Sequence, residues 1–400
     1  MATRHVYLDH AAAAPLDSRV LRSMRPFLEG AGGNPSSFHG DGKEAKDALD
    51  DARTRIASLI HARPDEILFT SGGTESDNLA VLGYARANKA NGCHLVTSAF
   101  EHPAVLESVG HLEKKEGFTA TYVSPGRDGI VSADDAIAAV RPDTVLVSVM
   151  LANNEIGTIQ PVADIGKRLK KLREAGHTKA VLHTDACQGA GAMELDVEKL
   201  RVELLTINGG KIYGPKGIGA LYAKRGVKLQ PLQFGGTQER GIRPGTENVA
   251  GAVGLATALE ISSEIREAEN ARLIALRDTL IGGLLARVPK SRLNGHATLR
   301  LPNNANLSFL DMEGEALLLY LDAAGIEAST GSACTSAALE PSHVILSLGL
   351  PYEVAHGSLR FSLGRATTEA DVDYVLDTLP PLVQKLRAIS PVRVDEKYYV

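Results

Sequence analysis

Short runs rich in β-branched residues alternate along this chain with helix-length amphipathic segments, and that alternation limits the fold more than any other feature. Residues 66–70, 94–98, 119–123, 144–150, 180–184 and 203–207 read as strands, separated mostly by helical patterns. A parallel crossover needs a connection of about a dozen residues, usually a helix with one buried stripe. The pattern therefore predicts an α/β fold, a doubly wound, mainly parallel sheet with helices on both faces. Over 43–60, Ala45, Leu49, Ala52, Ile56 and Leu59 recur at helical spacing opposite a mostly charged face, as on a surface helix. From 247 to about 288 the pattern is helical almost throughout, until Pro289, Asn294, Gly295 and Leu301-Pro302-Asn303-Asn304 break it. Beyond that, strand-like 306–310, 325–328 and 358–363 interleave with helices over 313–322 and 368–386, which predicts a compact α+β unit. No internal repeat or low-complexity tract is present.

At 400 residues with 44% hydrophobic content, the chain has material for a large domain and a smaller one. The expected division is an N-terminal segment over 1–15, a large α/β domain over 16–260 and a small C-terminal α+β domain over 261–400, joined through the long helix. A net charge of −5 and a pI near 6.2 leave no basic footprint, so direct nucleic-acid binding is not expected. Cys93, Cys187 and Cys334 are odd in number and unclustered, which argues against both a disulfide framework and a cysteine zinc site. No metal site is expected, and a reducing cytoplasm is the natural compartment for such thiols. The start MATRHVYLDH has no signal-type apolar core and the apolar stretch 144–152 is far short of a span, so no membrane association is expected.

Three stretches carry candidate chemistry. In Asn208-Gly209-Gly210-Lys211-Ile212-Tyr213-Gly214 a lysine sits between glycine-rich turns directly after a strand, where it can approach a ligand closely. Asp185 and Gln188 follow the 180–184 strand, at the carboxyl edge where open α/β sheets bind ligands. A pyridinium nitrogen needs such a carboxylate. In Thr70-Ser71-Gly72-Gly73-Thr74-Glu75-Ser76-Asp77-Asn78 a strand runs through glycines into a helix whose free N–H groups suit a phosphate. It lacks the GK[ST] ending of a nucleotide loop, and no GxGxxG follows the first strand, which favours a phosphorylated cofactor over a nucleotide. His102, just past 94–98, is placed to lie against an aromatic cofactor. Arg360, in the strand-like 358–363, suits a bidentate clamp on a carboxylate. Cys334 lies among small residues in Thr330-Gly331-Ser332-Ala333-Cys334-Thr335-Ser336, as a presented thiol requires, whereas Cys93 and Cys187 read as packing residues.

Taken in order, Tyr7-Leu8-Asp9-His10-Ala11-Ala12-Ala13-Ala14-Pro15, TSGGTESDN, Glu101-His102, Asn153-Asn154-Glu155-Ile156-Gly157, Asp185-Ala186-Cys187-Gln188, GGKIYGPKG, ERGIRPGTEN, TGSACTSAALEPS and SLRFSLGR resemble the cysteine desulfurases of the NifS/IscS-like group, class V aminotransferase superfamily. The resemblance runs from about Tyr7 to about 391. It implies a fold-type I pyridoxal 5′-phosphate enzyme that converts L-cysteine to L-alanine and holds the sulfur as a persulfide on Cys334. It also implies a homodimer and a sulfur-acceptor protein, such as an iron–sulfur scaffold or a tRNA-thiolation factor. Lys211 would be the Schiff-base lysine and Asp185 the partner of the pyridine nitrogen. Gln188 and Asn154 would lie near the phenolic oxygen and substrate, and His102 would stack on the ring and assist proton transfers. Gly73 and Thr74 would bind the phosphate, and Thr246 would reach the neighbouring subunit's phosphate. Arg360 would take the substrate carboxylate. One departure stands out, because many relatives resemble Ser-x-His-Lys before the lysine and this chain has Asn208-Gly209-Gly210-Lys211. Gly210 has no side chain for that phosphate contact, which leaves Asn208 to contribute one. A selenocysteine lyase or a plain class V aminotransferase would share Lys211 and Asp185, and Cys334 argues against the latter. A non-catalytic sulfur-relay or scaffold-binding protein would not need lysine, aspartate, cysteine and arginine together.

Overall fold

Strand β1 (Val6–Tyr7) opens the chain, and seven strands then build the main sheet: β2 (Ile67–Thr70), β3 (His94–Ser98), β4 (Thr119–Val123), β5 (Thr144–Ser148), β6 (Val181–Asp185), β7 (Leu204–Asn208) and β8 (Gly219–Ala223). The computed structural model describes residues 4–30, 32–331 and 341–398. Across the sheet the order is β2-β8-β7-β6-β5-β3-β4. The pairs from β7 through β4 are parallel, and β8 runs antiparallel to both β2 and β7. Apolar cores cover both faces: Val96, Val147, Leu205 and Tyr222 point into one, and Leu95, Leu146, Leu204 and Leu221 into the other. That is the alternation expected of strands buried on two sides. The doubly wound, mainly parallel fold expected from the sequence is the fold observed.

The strand bounds agree with the sequence pattern to within two residues, with two instructive differences. Glu66 belongs to a one-turn helix over Pro64–Glu66, because Pro64 sets its first turn. Strand β8 has the sequence GALYA, whose glycine and alanines carry little β preference, and pairing on both sides imposes the extended form.

After the sheet, helix Val249–Arg287 runs for 39 residues, about 58 Å at 1.5 Å per residue. Ala250, Ala252, Val253, Leu255, Ala256 and Leu259 pack in the core on one face of the main sheet, while Leu273, Leu276, Leu280 and Leu284 pack in a separate core. That second core is built on an antiparallel sheet of β9 (Ser291–Leu293), β10 (Asn304–Phe309) and β12 (Ser358–Ser362), with β10 central. Strand β11 (Ile326–Glu327) pairs in parallel with β1, and Asp9 bridges Ser362, so the N-terminal segment is stitched to the C-terminal sheet. Helix Glu369–Ile389 covers this core although it contains Pro380 and Pro381. Proline removes the N–H that would bond the carbonyl four residues earlier. Arg287 replaces it, donating through Nη1 to the Leu376 carbonyl (3.0 Å) and to Asp377 Oδ1 (2.8 Å). No described helix is long and apolar enough to cross a membrane.

Leu307 lies in the central strand β10, in register with Leu359 and Leu293 and fully buried. Leu307→Ala is expected to destabilise this unit by about 2–5 kcal/mol, the range for emptying a leucine site in a packed core. Denaturant unfolding monitored by circular dichroism checks it, and a midpoint equal to the parent's would contradict the assignment of Leu307 to the core.

Candidate active site

Strands β6 and β7 run side by side with Asp185 opposite Thr206, so the residues that end them emerge at one edge of the sheet. Asp185 is the last residue of β6; its Oδ1 accepts from the Cys187 N–H at 2.9 Å. Lys211 closes the single turn Gly209–Lys211 directly after β7, which Asn208 caps by accepting from the Gly210 N–H at 3.1 Å. Lys211 Nζ donates to the carbonyls of Ala11 (3.0 Å) and Ala12 (2.6 Å), and Gln188 Nε2 also donates to Ala11 (3.0 Å). The N-terminal segment thus lies directly against the lysine.

His102 caps helix Pro103–Glu116, and its Nδ1 accepts from the Ala104 N–H at 3.1 Å. That bond leaves the proton of the neutral ring on Nε2. Burial lowers its pKa; Asp185 pulls it up, while Lys211 and His343 push it down. The imidazole is therefore neutral near pH 7 and lies within electrostatic reach of both Asp185 and Lys211.

Below this layer sits a buried polar group that the sequence reading did not single out. His183, two residues before Asp185 on the same face of β6, has Nδ1 2.9 Å from Ser148 Oγ and Nε2 3.2 Å from Thr206 Oγ1. It stands 3.6 Å from Asp77 Oδ1, which has no hydrogen-bond partner among the described residues. Burial pushes His183 down to about 4. Burial and then the Asp185 charge push Asp77 well above the usual carboxylate range. Two carboxylates so placed cannot both ionise cheaply. Asp77, pushed up by burial, is the one that keeps its proton. Glu101, also fully buried, accepts from Ser98 Oγ and from the Met150 N–H, and burial pushes it up to about 8.

At the other end, helix Gly73–Asn78 starts immediately beyond β2. A Cβ on Gly73 would stand 2.8 Å from Cys187 Sγ and 3.5 Å from Asn208 Nδ2, so only glycine admits both neighbours. The Asn208 amide thus lies against the glycine that begins the helix, on the side where Gly210 offers nothing. Thr74 and His102 share the wall of an open cleft of about 720 Å³ that also meets Arg86, Lys114 and Lys115. Cys187 is buried, and burial raises its thiol pKa well above the ordinary value, in keeping with a packing residue.

Arg360 lies in β12 and is 2% exposed. Its Nη1 donates to the Asn154 carbonyl (2.9 Å) and its Nη2 to Asp9 Oδ1 (2.8 Å), which brings Asn154 to the same place. Thr246 is exposed. Cys334 lies outside the described residues. The sequence reading missed Asp9, the Ala11 and Ala12 carbonyls, Asp77, Glu101 and His183. The available signal was charge at positions whose periodicity marks them as buried, such as His183 and Asp185 at i and i+2 of one strand.

The donor set fits a phosphorylated aromatic aldehyde with a ring nitrogen. An amine and a carboxylate sit at adjacent strand ends, a neutral imidazole lies within electrostatic reach of both, and a glycine-started helix with the Asn208 amide lies beyond. These residues would hold pyridoxal 5′-phosphate.

The buried Glu101 makes stability depend on pH. Its folded pKa of about 8 exceeds the ordinary 4.5, so the folded chain binds the extra proton between those values; the contribution is full below 4.5 and is lost as pH rises through about 8. His183 acts in the opposite sense, but only between about 4 and 6.5. Glu101→Gln is therefore expected to flatten the fall in melting temperature between about pH 6.5 and 8.5. Parallel slopes for parent and variant in thermal melts would contradict a protonated Glu101.

Comparison with known proteins places this site in context. The family described as Aminotransferase class-V matches residues 6–375. Cysteine desulfurase IscS of Methanosarcina thermophila is 50% identical over 391 residues, covering 98% of this chain and 95% of that protein. Cysteine desulfurase IscS of Dictyoglomus turgidum is 48% identical over 394 residues, covering 98% of each. Among solved structures, a NifS-like protein superposes with a TM-score of 0.89 at 36% identity, over 96% of this chain and 100% of that one. SspA in complex with cysteine superposes with a TM-score of 0.77 at 34% identity, over 90% and 98% of the two chains.

Proposed function

The chain belongs to the class-V aminotransferase family and, within it, to the cysteine desulfurases, and from that membership we propose how its own residues divide the work. It is a pyridoxal-phosphate-dependent sulfurtransferase. The observation that carries the assignment of roles is the placement of Asp185 and Lys211 at the ends of adjacent parallel strands, with both within electrostatic reach of His102.

When bound, pyridoxal 5′-phosphate supplies an electron sink for the substrate's Cα. Lys211 would anchor it, and the Asp185 carboxylate would partner the pyridine nitrogen. Gly73, Thr74 and Asn208 hold the phosphate, and Thr246 reaches the phosphate of a second subunit in a homodimer. Gln188 and Asn154 orient the phenolic oxygen and the substrate. Arg360 holds the carboxylate of L-cysteine, an α-amino acid that a solved relative is described as binding. Lys211 moves the proton at Cα once its amine is free, and neutral His102 assists through Nε2. The Cys334 thiolate attacks the substrate sulfur. The new S–S bond forms as the C–S bond breaks, the electron pair stays with the substrate carbon, and that carbon leaves as L-alanine after protonation. The persulfide sulfur then passes to an acceptor protein, an iron–sulfur scaffold or a tRNA-thiolation factor. A reducing cytoplasm keeps the thiols of such a relay free.

Lys211→Ala is expected to lose the covalent cofactor link. Borohydride reduction and peptide mapping of the parent should place the pyridoxyl group on Lys211, and a label on Lys216 would overturn the assignment. Cys334→Ser should keep the cofactor absorbance and its change on adding L-cysteine, yet lose persulfide and most alanine formation. A hydroxyl is a far weaker nucleophile than a partly ionised thiol. Mass spectrometry of the parent after brief exposure to L-cysteine should find one added sulfur on the Cys334 peptide, and sulfur on Cys93 or Cys187 instead would refute that role.

A further inference from the structure

Arg360 already has an anion. Its guanidinium is 2% exposed and donates through Nη2 to Asp9 Oδ1 at 2.8 Å, while Nη1 is committed to the Asn154 carbonyl. Asp9 is held firmly: its carbonyl accepts from the N–H groups of Ala12 (3.1 Å) and Ala13 (3.2 Å) and from the Tyr7 hydroxyl (3.2 Å), and it bridges Ser362, two residues past Arg360 in β12. Two and three residues on, the Ala11 and Ala12 carbonyls meet Lys211 Nζ. One tight turn therefore sets a carboxylate on the arginine and two carbonyls on the lysine, the groups proposed above to meet the carboxylate and amine ends of an α-amino acid. A guanidinium has five N–H donors, and Nε has no partner among the described residues, so a second carboxylate still finds donors there. It arrives, however, at an ion pair of zero net charge and faces a like charge across one guanidinium.

We propose that Asp9 is a counter-charge that shares Arg360 with the substrate carboxylate, weakens the hold of the site on every α-amino acid, and thereby promotes release of L-alanine. The inference rests on the reading that Arg360 takes the substrate carboxylate. Substrate and product carry the same carboxylate, so the weakening is felt by both, and the cost to capture of L-cysteine is matched by faster clearance of the product.

Asp9→Asn keeps an oxygen that can accept from Nη2 and removes the charge. In the holoenzyme it is expected to lower the inhibition constant of L-alanine by about fivefold, the size of a partly screened ion pair, and to lower KM for L-cysteine in the same direction. Cysteamine, which has the amine and thiol without the carboxylate, should bind parent and variant alike. Asp9→Glu should restore parental affinity for L-alanine, and Asp9→Ser supplies a second neutral variant should Asn fail to fold. Unchanged or weaker L-alanine binding in a folded neutral variant would overturn the proposal, as would equal tightening of cysteamine. Arg360→Gln separates the two readings. If it leaves L-alanine affinity intact, Arg360 does not hold the carboxylate and both readings fall. If it weakens L-alanine while the neutral Asp9 variants do not tighten it, only the counter-charge is wrong.

Discussion

A parallel pair of strands delivers its ends to the same edge of a sheet, and the chemistry of this protein depends on that constraint at β6 and β7. Asp185 ends one strand and Lys211 follows the other after one turn, so a carboxylate and an amine 26 residues apart meet without any loop having to carry them there. Antiparallel pairing would send these residues to opposite edges. The antiparallel β8 returns alongside β7 only after the lysine has been placed, and its start packs against Gly72, beside the helix start proposed for the phosphate. The sheet thus positions the site, and turns of one to three residues finish it.

The price of that placement is a cluster of ionisable groups removed from water. Asp77, Glu101 and His183 are each buried with few neutralising charges nearby, and all three respond by shifting toward their neutral forms. Desolvation therefore favours the neutral forms of the groups behind the site. The site's electrostatics follow from how deep each residue lies, more than from any ion pair.

Much of this was legible in the sequence. Largely apolar runs such as VLHTD and LLTIN mark their strands because burial on both faces demands them. Lys211, Asp185 and His102 were visible because strand ends and helix caps are local features. GALYA was not visible as a strand, since pairing on both sides decides its form. In helix Glu369–Ile389, Arg287, 89 residues before Leu376, satisfies the Leu376 carbonyl that Pro380 leaves open, a contact no local pattern shows. Asp9 was hidden for the same reason: it meets Arg360 across 351 positions, and no local pattern announces such a contact.

The N-terminal segment is what joins these separate constraints. Strand β1 pairs with β11, Asp9 bridges Ser362, Arg360 donates to Asp9, and Ala14 donates through its N–H to the Gly210 carbonyl beside the lysine. A stretch of nine residues therefore contacts the small antiparallel sheet at one end and the turn after β7 at the other. The two cores are also bridged by the long helix, whose first part packs on the large sheet and whose last part packs on the small one, and by the Asn304 and Asn306 amides, which both donate to the Glu155 carbonyl. A helix spaces two cores rigidly but does not align a residue of one against a residue of the other to within a hydrogen bond. The segment does so, because each of its backbone bonds is short and each partner is fixed in a sheet or a turn. Relative placement of Arg360 and Lys211 is thus set in part by backbone bonds in a segment with little regular structure of its own.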